Sequence, residues 1–276
     1  MNRLFLTIIA LFLHGSMSYA ALPFTPAPSN EARDYYIDLL KKCVANTIYG
    51  DGDLMSGKGT PYDQNRRILG HDWPEKAHTM IGLKRLDNID YCLREILANN
   101  IPGDCIETGV WRGGATILMR GILKAFQDKN RKVWVADSFA GLPPPNAAKY
   151  PHDANMFFNR YTVLAISIEE VQDNFAKYGL LDDQVIFLKG LFSETLPHAP
   201  IGPLSLLRLD GDLYESTMDA LVNLYDKVSV GGFVIIDDYG ISCCEHAVHD
   251  FRAIKNIQDP IIAIEGGTGV YWKKSS

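Results

Sequence analysis

Apolar positions recur at helical spacing over residues 31–47, with Tyr36, Leu39, Leu40, Cys43 and Val44 on one side and Ser29-Asn30 ahead of them as cap candidates. This predicts an amphipathic helix over 31–47, and the same period returns over 82–99. The stretch between, residues 50–78, is polar and rich in Gly and Asp, long for a connection inside a compact domain, and therefore a candidate lid. From residue 104 onward the period changes. Short apolar runs at 104–108, 132–137, 185–190, 204–210 and 231–237 read as buried strands, and helical periods near 114–127, 167–179, 214–227 and 245–256 separate or follow them. Such alternation predicts an α/β fold with a doubly wound, mostly parallel sheet. Two late runs, 260–265 and 269–273, flank Gly266-Gly267-Thr268 and predict an antiparallel pair at the sheet edge.

The first residues follow another logic. Met1-Asn2-Arg3, the apolar run from Leu4 to Leu13 and the small residues of Ser18-Tyr19-Ala20 make up the three parts of a secretory signal, short for a membrane span. The proline-rich stretch from Leu22 to Pro28 reads as an extended linker. The chain thus divides into a signal peptide or N-terminal anchor (1–22), N-terminal helices with a lid loop (23–100) and a main α/β domain (101–276). The leader predicts export, periplasmic or secreted, with membrane contact only through that segment if it is not cleaved.

Composition narrows the function classes. A hydrophobic fraction of 47% with 22% charged residues is ordinary for a soluble globular protein, and the net charge of -6 offers no basic footprint for nucleic acid. Five cysteines form no CxxC pair and no zinc-like spacing, so neither a disulfide scaffold nor a zinc site is indicated, and nothing around Cys243-Cys244 resembles a thiolate-activating motif.

The candidate chemistry lies where the strands stop. The run 204–210 ends on Asp210 and the run 231–237 ends on Asp237-Asp238. If these strands are parallel neighbours, three carboxylates meet on the sheet edge where open α/β sheets bind ligands, and they repel one another unless a cation or shared protons compensate. A divalent metal site follows. The first strand feeds a glycine-rich turn, Glu107-Thr108-Gly109-Val110-Trp111-Arg112-Gly113-Gly114, that opens a helix and is neither GxGxxG nor a P-loop. The second ends on Asp137-Ser138, where an acid can hold a ribose diol or cap the turn. After the third, Phe192 and Ser193 can wrap an adenine ring, with a helix cap at Ser193 or Thr195 as the competing reading. Together these turns describe a nucleoside-containing ligand, and the missing phosphate motif favours S-adenosylmethionine over NAD or ATP. A metal-dependent hydrolase or phosphoesterase would also use the acids, and a non-catalytic exported binding protein would explain the leader; the first leaves the turns at 107–114 and 137–138 without a purpose, the second leaves the acids so.

Five blocks, in order, carry a more specific resemblance: Asp72-Trp73-Pro74 with 77–88, residues 107–114, 133–143, Leu209 to Thr217, and Asp237-Asp238-Tyr239-Gly240. From about residue 30 to the C-terminus the chain resembles the macrocin O-methyltransferase family, whose members methylate sugar hydroxyls of antibiotics with S-adenosylmethionine and magnesium. The resemblance implies a Rossmann-like class I methyltransferase fold and magnesium ligands at Asp210, Asp237 and Asp238. It also implies a cofactor pocket around Glu107, Gly109, Asp137, Ser138 and Ser193, with Thr79 and Met80 closing over it. The implied acceptor is a sugar or other vicinal-diol molecule. Two features depart from the family: the leader, since cofactor supply favours the cytoplasm, and Cys243-Cys244 in a loop expected to face the acceptor. Oligomeric state is open, a homo-oligomer included.

In the mechanism this implies, Asp210 is the first choice of base and Asp212 the second, with capping of the helix near Tyr214 as the alternative for Asp212. His78, His246 and His249 are read as structural rather than catalytic. Arg208 shares a strand face with Asp210 and is read as its ion partner.

Overall fold

The computed structural model describes residues 30–54 and 60–276. The predicted leader and linker lie outside the described residues, as do positions 55–59 of the candidate lid. No helix among the described residues is long and apolar enough to cross a membrane.

Seven strands form one sheet: β1 (Asp104–Thr108), β2 (Val133–Asp137), β3 (Val185–Lys189), β4 (Leu204–Leu209), β5 (Val228–Ile236), β6 (Ile262–Ala263) and β7 (Val270–Lys273), in the order β3-β2-β1-β4-β5-β7-β6. The first five are parallel; β7 runs antiparallel to β5, and β6 to β7. The predicted doubly wound sheet with its antiparallel edge is therefore present. Helices cover both faces, which is why its strands read as continuous apolar runs. Alternate strand residues serve two cores: Cys105, Val133, Leu206 and Phe233 join one, and Ile106, Trp134, Leu207 and Val234 the other. The first core is closed by α1 (Asn30–Val44), α3 (Gly82–Ala98), α4 (Gly114–Ala125) and α5 (Ile168–Lys177), the second by α7 (Tyr214–Leu224) and α8 (Ser242–Ile254).

The inward face of helix α1 keeps Leu40 and Val44 of the face that the spacing suggested but is turned away from Tyr36 and Leu39. Ile37, Leu40 and Val44 are buried, whereas Tyr36 and Leu39 are 39% and 53% exposed. The reason is Gly121 on α4, where an added Cβ would stand 2.2 Å from Leu40 Cδ2, so the two helices meet through Leu40. The candidate lid also differs. Its described part holds a helix, α2 (Gln64–Leu69), begun by Asp63, whose carboxylate accepts from Asn65 N and Arg66 N, and ended by the left-handed Gly70. The segment is fastened by Arg67, which is wholly buried and bonded to Asp51 and Asp72. A long strap, residues 138–167, joins β2 to α5 through three short 3-10 turns that the period gave no sign of.

Candidate active site

Strand order reverses at β1, whose neighbours are β2 and β4, and ligands of such sheets bind outside the carboxyl ends at that point. A cavity of about 320 Å³ opens there, and the eleven residues read as catalytic, cofactor-binding or metal-binding line it: Thr79, Met80, Glu107, Gly109, Asp137, Ser138, Ser193, Asp210, Asp212, Asp237 and Asp238.

The acids meet because of register. Leu209 pairs with Ile236 across β4 and β5, so the next residues, Asp210 and Asp237, are neighbours with Asp238 beside them. One oxygen from each of Asp210, Asp237 and Asp238 lies within 4.8 Å of the others. Two oxygens sharing one magnesium ion stand up to about 4.2 Å apart, so a small adjustment lets the three ligate together. Arg208 is wholly buried beneath them; it donates to Glu107 Oε1, to Asp210 Oδ2 (2.7 Å) and to Asp237 Oδ1. Its predicted part as ion partner of Asp210 thus widens to three acids. Arg85 on α3 donates to the other oxygen of Asp237. Five carboxylates, with Asp212 included, face two guanidinium groups, and four of the five hold protons more tightly than a free carboxylate. Burial pushes Glu107 up to about 8 against the pull of Arg208. Burial and the Asp237 charge raise Asp210 to about 6, and burial with Asp210 raises Asp212 to about 7. Asp238 is held well above the carboxylate range by burial and by Asp212.

Asp212 does not cap α7. Its backbone turns left-handed (φ 59°), its N–H donates to Asp238 Oδ2 (2.9 Å), and the first N–H groups of α7 go instead to Asp153.

At the other end, glycines let backbone elements touch. A Cβ on Gly109 (φ 88°) would fall 1.7 Å from Asp210 O, and one on Gly114 would meet His78 O at 2.5 Å. Gly114 N also donates to His78 O, which brings Thr79 and Met80 over the start of α4. Asp137 ties the turn to β2: its carboxylate accepts from Val110 N and from Phe139 N, both at 2.8 Å, with Ser138 Oγ 3.4 Å from Oδ1. Ser138 is committed within its own turn, donating to Gly141 O (2.6 Å) and accepting from Ala140 N (3.0 Å). Neither Ser193 nor Thr195 caps α6 (Phe192–Thr195); Thr195 donates back to Leu191 O (2.9 Å) and Ser193 lines the cavity beside Phe192. Glu107 Oε2 is buried and without a hydrogen-bond partner, an acceptor left for a cationic group.

Cys243 and Cys244 do not face the cavity. Both are about 1% exposed on the first turn of α8, where Cys243 Sγ donates to Asp212 O (3.2 Å), because that turn packs back under the acid corner. None of His78, His246 and His249 lines the cavity. Sequence reasoning missed Arg85, which lies inside a quoted block but reaches Asp237 across 152 positions, and the walls supplied by Trp73, Trp111 and Phe158.

A profile of the macrocin O-methyltransferase family matches residues 53–274. The chain is 53% identical over 251 residues to the 8-demethyl-8-(2,3-dimethoxy-alpha-L-rhamnosyl)-tetracenomycin-C 4'-O-methyltransferase of Streptomyces olivaceus, covering 90% of this chain and 95% of that protein. It is 51% identical over 257 residues to the demethyldecarbamoylnovobiocin O-methyltransferase of Streptomyces niveus, covering 91% and 97%. Among solved structures, that of the O-methyltransferase NovP superposes with a TM-score of 0.84 at 51% identity, over 88% of this chain and 100% of that one. The calicheamicin methyltransferase CalS11 matches with a TM-score of 0.57 at 17% identity over 89% and 93%, a likeness of fold.

Proposed function

The chain belongs to the macrocin O-methyltransferase family, and from that premise we propose that it methylates a sugar hydroxyl of a glycosylated small molecule, using S-adenosylmethionine and magnesium. The observation that carries this reading is the union, in one cavity at the strand-order switch, of the turns after β1, β2 and β3 with the three-acid corner after β4 and β5. The relatives' names support the acceptor class: they specify a rhamnosyl tetracenomycin and a novobiocin precursor. The hydrolase reading gives the cofactor-side turns no work, the binding-protein reading gives the three acids none, and neither draws support from those relatives.

Asp210, Asp237 and Asp238 would hold the metal. Their hard oxygen donors suit magnesium, and Asp237 can accept from Arg85 and Arg208 and still ligate, since each oxygen has two lone pairs. When bound, S-adenosylmethionine supplies a sulfonium methyl that needs no further activation, and magnesium lowers the pKa of an acceptor hydroxyl. Glu107 Oε2 would meet positive charge on the donor, the Asp137 carboxylate would hold the ribose diol, and Phe192 and Ser193 would border the adenine. Asp212 displaces Asp210 as the group that removes the hydroxyl proton. Asp210 accepts from Arg208 through one oxygen and would give the other to the metal, whereas Asp212 accepts from no guanidinium among the described residues. Alignment of oxygen, methyl and sulfur between the two ends of the cavity supplies most of the rate.

The test is transfer of labelled methyl from S-adenosylmethionine to demethyldecarbamoylnovobiocin, with magnesium and after chelation. Metal-dependent labelling of a sugar hydroxyl supports the reading; labelling that survives chelation removes magnesium from it. S-adenosylhomocysteine binding without transfer redirects the acceptor alone.

A further inference from the structure

Asp153 is the one residue of the strap between β2 and α5 that is wholly buried, and its burial has no local cause. Its two carboxylate oxygens accept from the first two N–H groups of α7, Tyr214 N at 2.6 Å and Glu215 N at 3.1 Å, across 61 and 62 positions. Helices ordinarily take this help from their own N-cap side chain. Helix α7 has none: its N-cap, Leu213, is fully buried and makes no side-chain cap bond, and Asp212 is turned toward Asp238. A buried carboxylate is costly unless bonded, and the N-terminus of a helix, with free N–H groups and the positive end of its dipole, is the partner that offsets the cost.

The strap begins at the cofactor end, where Ser138 closes the turn after Asp137, and reaches the acid corner at Asp153. Leu142 and Pro143 line the cavity on the way, and Phe158 and Leu164 line it on the return limb. Its return limb is fixed by Trp111, whose Nε1 donates to Val163 O (2.9 Å), and by an edge contact of Tyr161 with Trp73 at 5.4 Å. The far limb is fixed at Asp153, with the rings of Tyr150 and His152 packed beside it on Tyr214 and His246. Helix α7 starts four residues after Asp210 and itself lines the cavity with Glu215, Ser216 and Asp219.

We propose that Asp153 is a positioning residue for the transfer reaction: by clasping the strap to the first turn of α7 it fixes the gap between the strap wall and the acid corner in which the acceptor hydroxyl must lie. This rests on the acceptor lying at that corner, as argued above. The cofactor turns are held separately, by Asp137 and the glycines, so loss of the clasp leaves them in place.

The experiment compares Asp153→Asn and Asp153→Ala with the wild type by backbone amide exchange, S-adenosylhomocysteine calorimetry and steady-state kinetics with demethyldecarbamoylnovobiocin. Asn keeps the shape but presents an NH₂ to one of two N–H donors, so it remains informative if the Ala variant fails to fold. In Asp153→Asn, exchange should rise by about tenfold or more in residues 144–160 and 214–217 together, as one bonded clasp is lost. Acceptor kcat/KM should fall between about tenfold and a hundredfold, mostly through KM, with S-adenosylhomocysteine affinity within about threefold of wild type. A plain helix cap would loosen 214–217 and leave the strap and the acceptor KM unchanged; that result overturns the inference. So does a fall in S-adenosylhomocysteine affinity in step with the acceptor. Should the wild type not methylate this acceptor, the acceptor assignment is at fault, and the joint or separate rise in exchange decides for or against the clasp.

Discussion

Arg67 and Arg208 are both wholly buried, each at the centre of a cluster of acids, yet the two clusters balance differently. Arg67 has two acids. Asp72 accepts from its Nε at 2.8 and 3.1 Å and Asp51 from its Nη1 at 2.8 Å, and the carbonyls of Ala45 (2.9 Å) and Asp51 (3.2 Å) take further N–H groups. None of the three side chains buries a polar atom without a partner. Although burial works against it, Asp51 is held below the usual carboxylate range by Arg67 and by Lys76 N. Arg208 instead faces Glu107, Asp210 and Asp237, with Asp212 and Asp238 close by, and both its own Nε and Glu107 Oε2 lack partners. Glu107 and Asp210 are pushed up where Asp51 is pushed down. A closed balance marks a fastening that holds the N-terminal arm. An open one marks a place prepared for charge that arrives from outside, in keeping with the concentration of perturbed groups at functional sites.

That contrast breaks first on activity. Asp237→Ala should lower methyl transfer by at least about a hundredfold, the scale of losing one preorganised electrostatic partner, in the labelled-methyl assay. Asp72→Ala, measured per folded molecule at low temperature, should leave kcat within a few fold. Near-wild-type transfer in Asp237→Ala would make the corner as structural as the Arg67 cluster.

Stability is the next test and runs the other way. Arg67→Met strands Asp51 and Asp72 in the interior and should cost about 3–5 kcal/mol, read as a denaturant midpoint shift. In the open cluster, removing an acid relieves repulsion: Asp238→Asn keeps an acceptor for Asp212 N and should leave the metal-free protein unchanged or up to about 1 kcal/mol more stable, while transfer is lost. Destabilisation by Asp238→Asn as large as that of Arg67→Met would erase the distinction.

How far these features were legible in the sequence depends on how local their cause is. Asp210, Asp237 and Asp238 were legible because a buried strand announces itself as an apolar run, and an acid at its end needs only the parallel register, Leu209 beside Ile236, to meet its neighbours. The same register puts Thr108 beside Leu209, so the glycine after Thr108 adjoins Asp210. Arg85 and Asp153 were not legible in their roles, since their partners lie 152 and 61 positions away and no period encodes such a pairing. Helix α2, six residues long, is too short to show a period, although Asp63 and Gly70 bracket it with ordinary stop signals. The inward face of α1 was legible at Leu40 and Val44 but not in its edge, since Gly121, on another helix, decides which side can approach. Cys243 and Cys244 were placed toward the acceptor by their nearness in sequence to the acids, but α8 begins at Ser242 and turns both into the core.

The smallest expected effect separates the arm from the acid corner by pH. His78 carries the arm onto the main domain: its N–H donates to Val44 O, its carbonyl accepts from Gly114 N, and its ring nitrogen Nδ1 bonds Tyr178 Oη at 2.8 Å. Burial, aided by the charges of Lys177 and Arg112, pushes its pKa down to about 4. An unfolded histidine titrates near 6.5, so between about 4 and 6.5 the unfolded chain binds the extra proton and the folded one does not. His78 therefore gives its full contribution above about pH 6.5 and loses it, by at most about 3 kcal/mol, as pH falls toward 4, below which both states are protonated. The raised carboxylates of the open cluster work in the opposite sense over part of this window, since their folded forms hold protons that the unfolded chain has released. The wild-type curve alone mixes the two, and the informative quantity is its difference from His78→Phe, which keeps the ring but cannot titrate. A difference that grows as pH drops from 6.5 to 4 and then levels assigns the loss to the arm; a difference flat across that range would mean that His78 takes up its proton in the fold as readily as in the open chain, and that the arm is not held by a neutral imidazole.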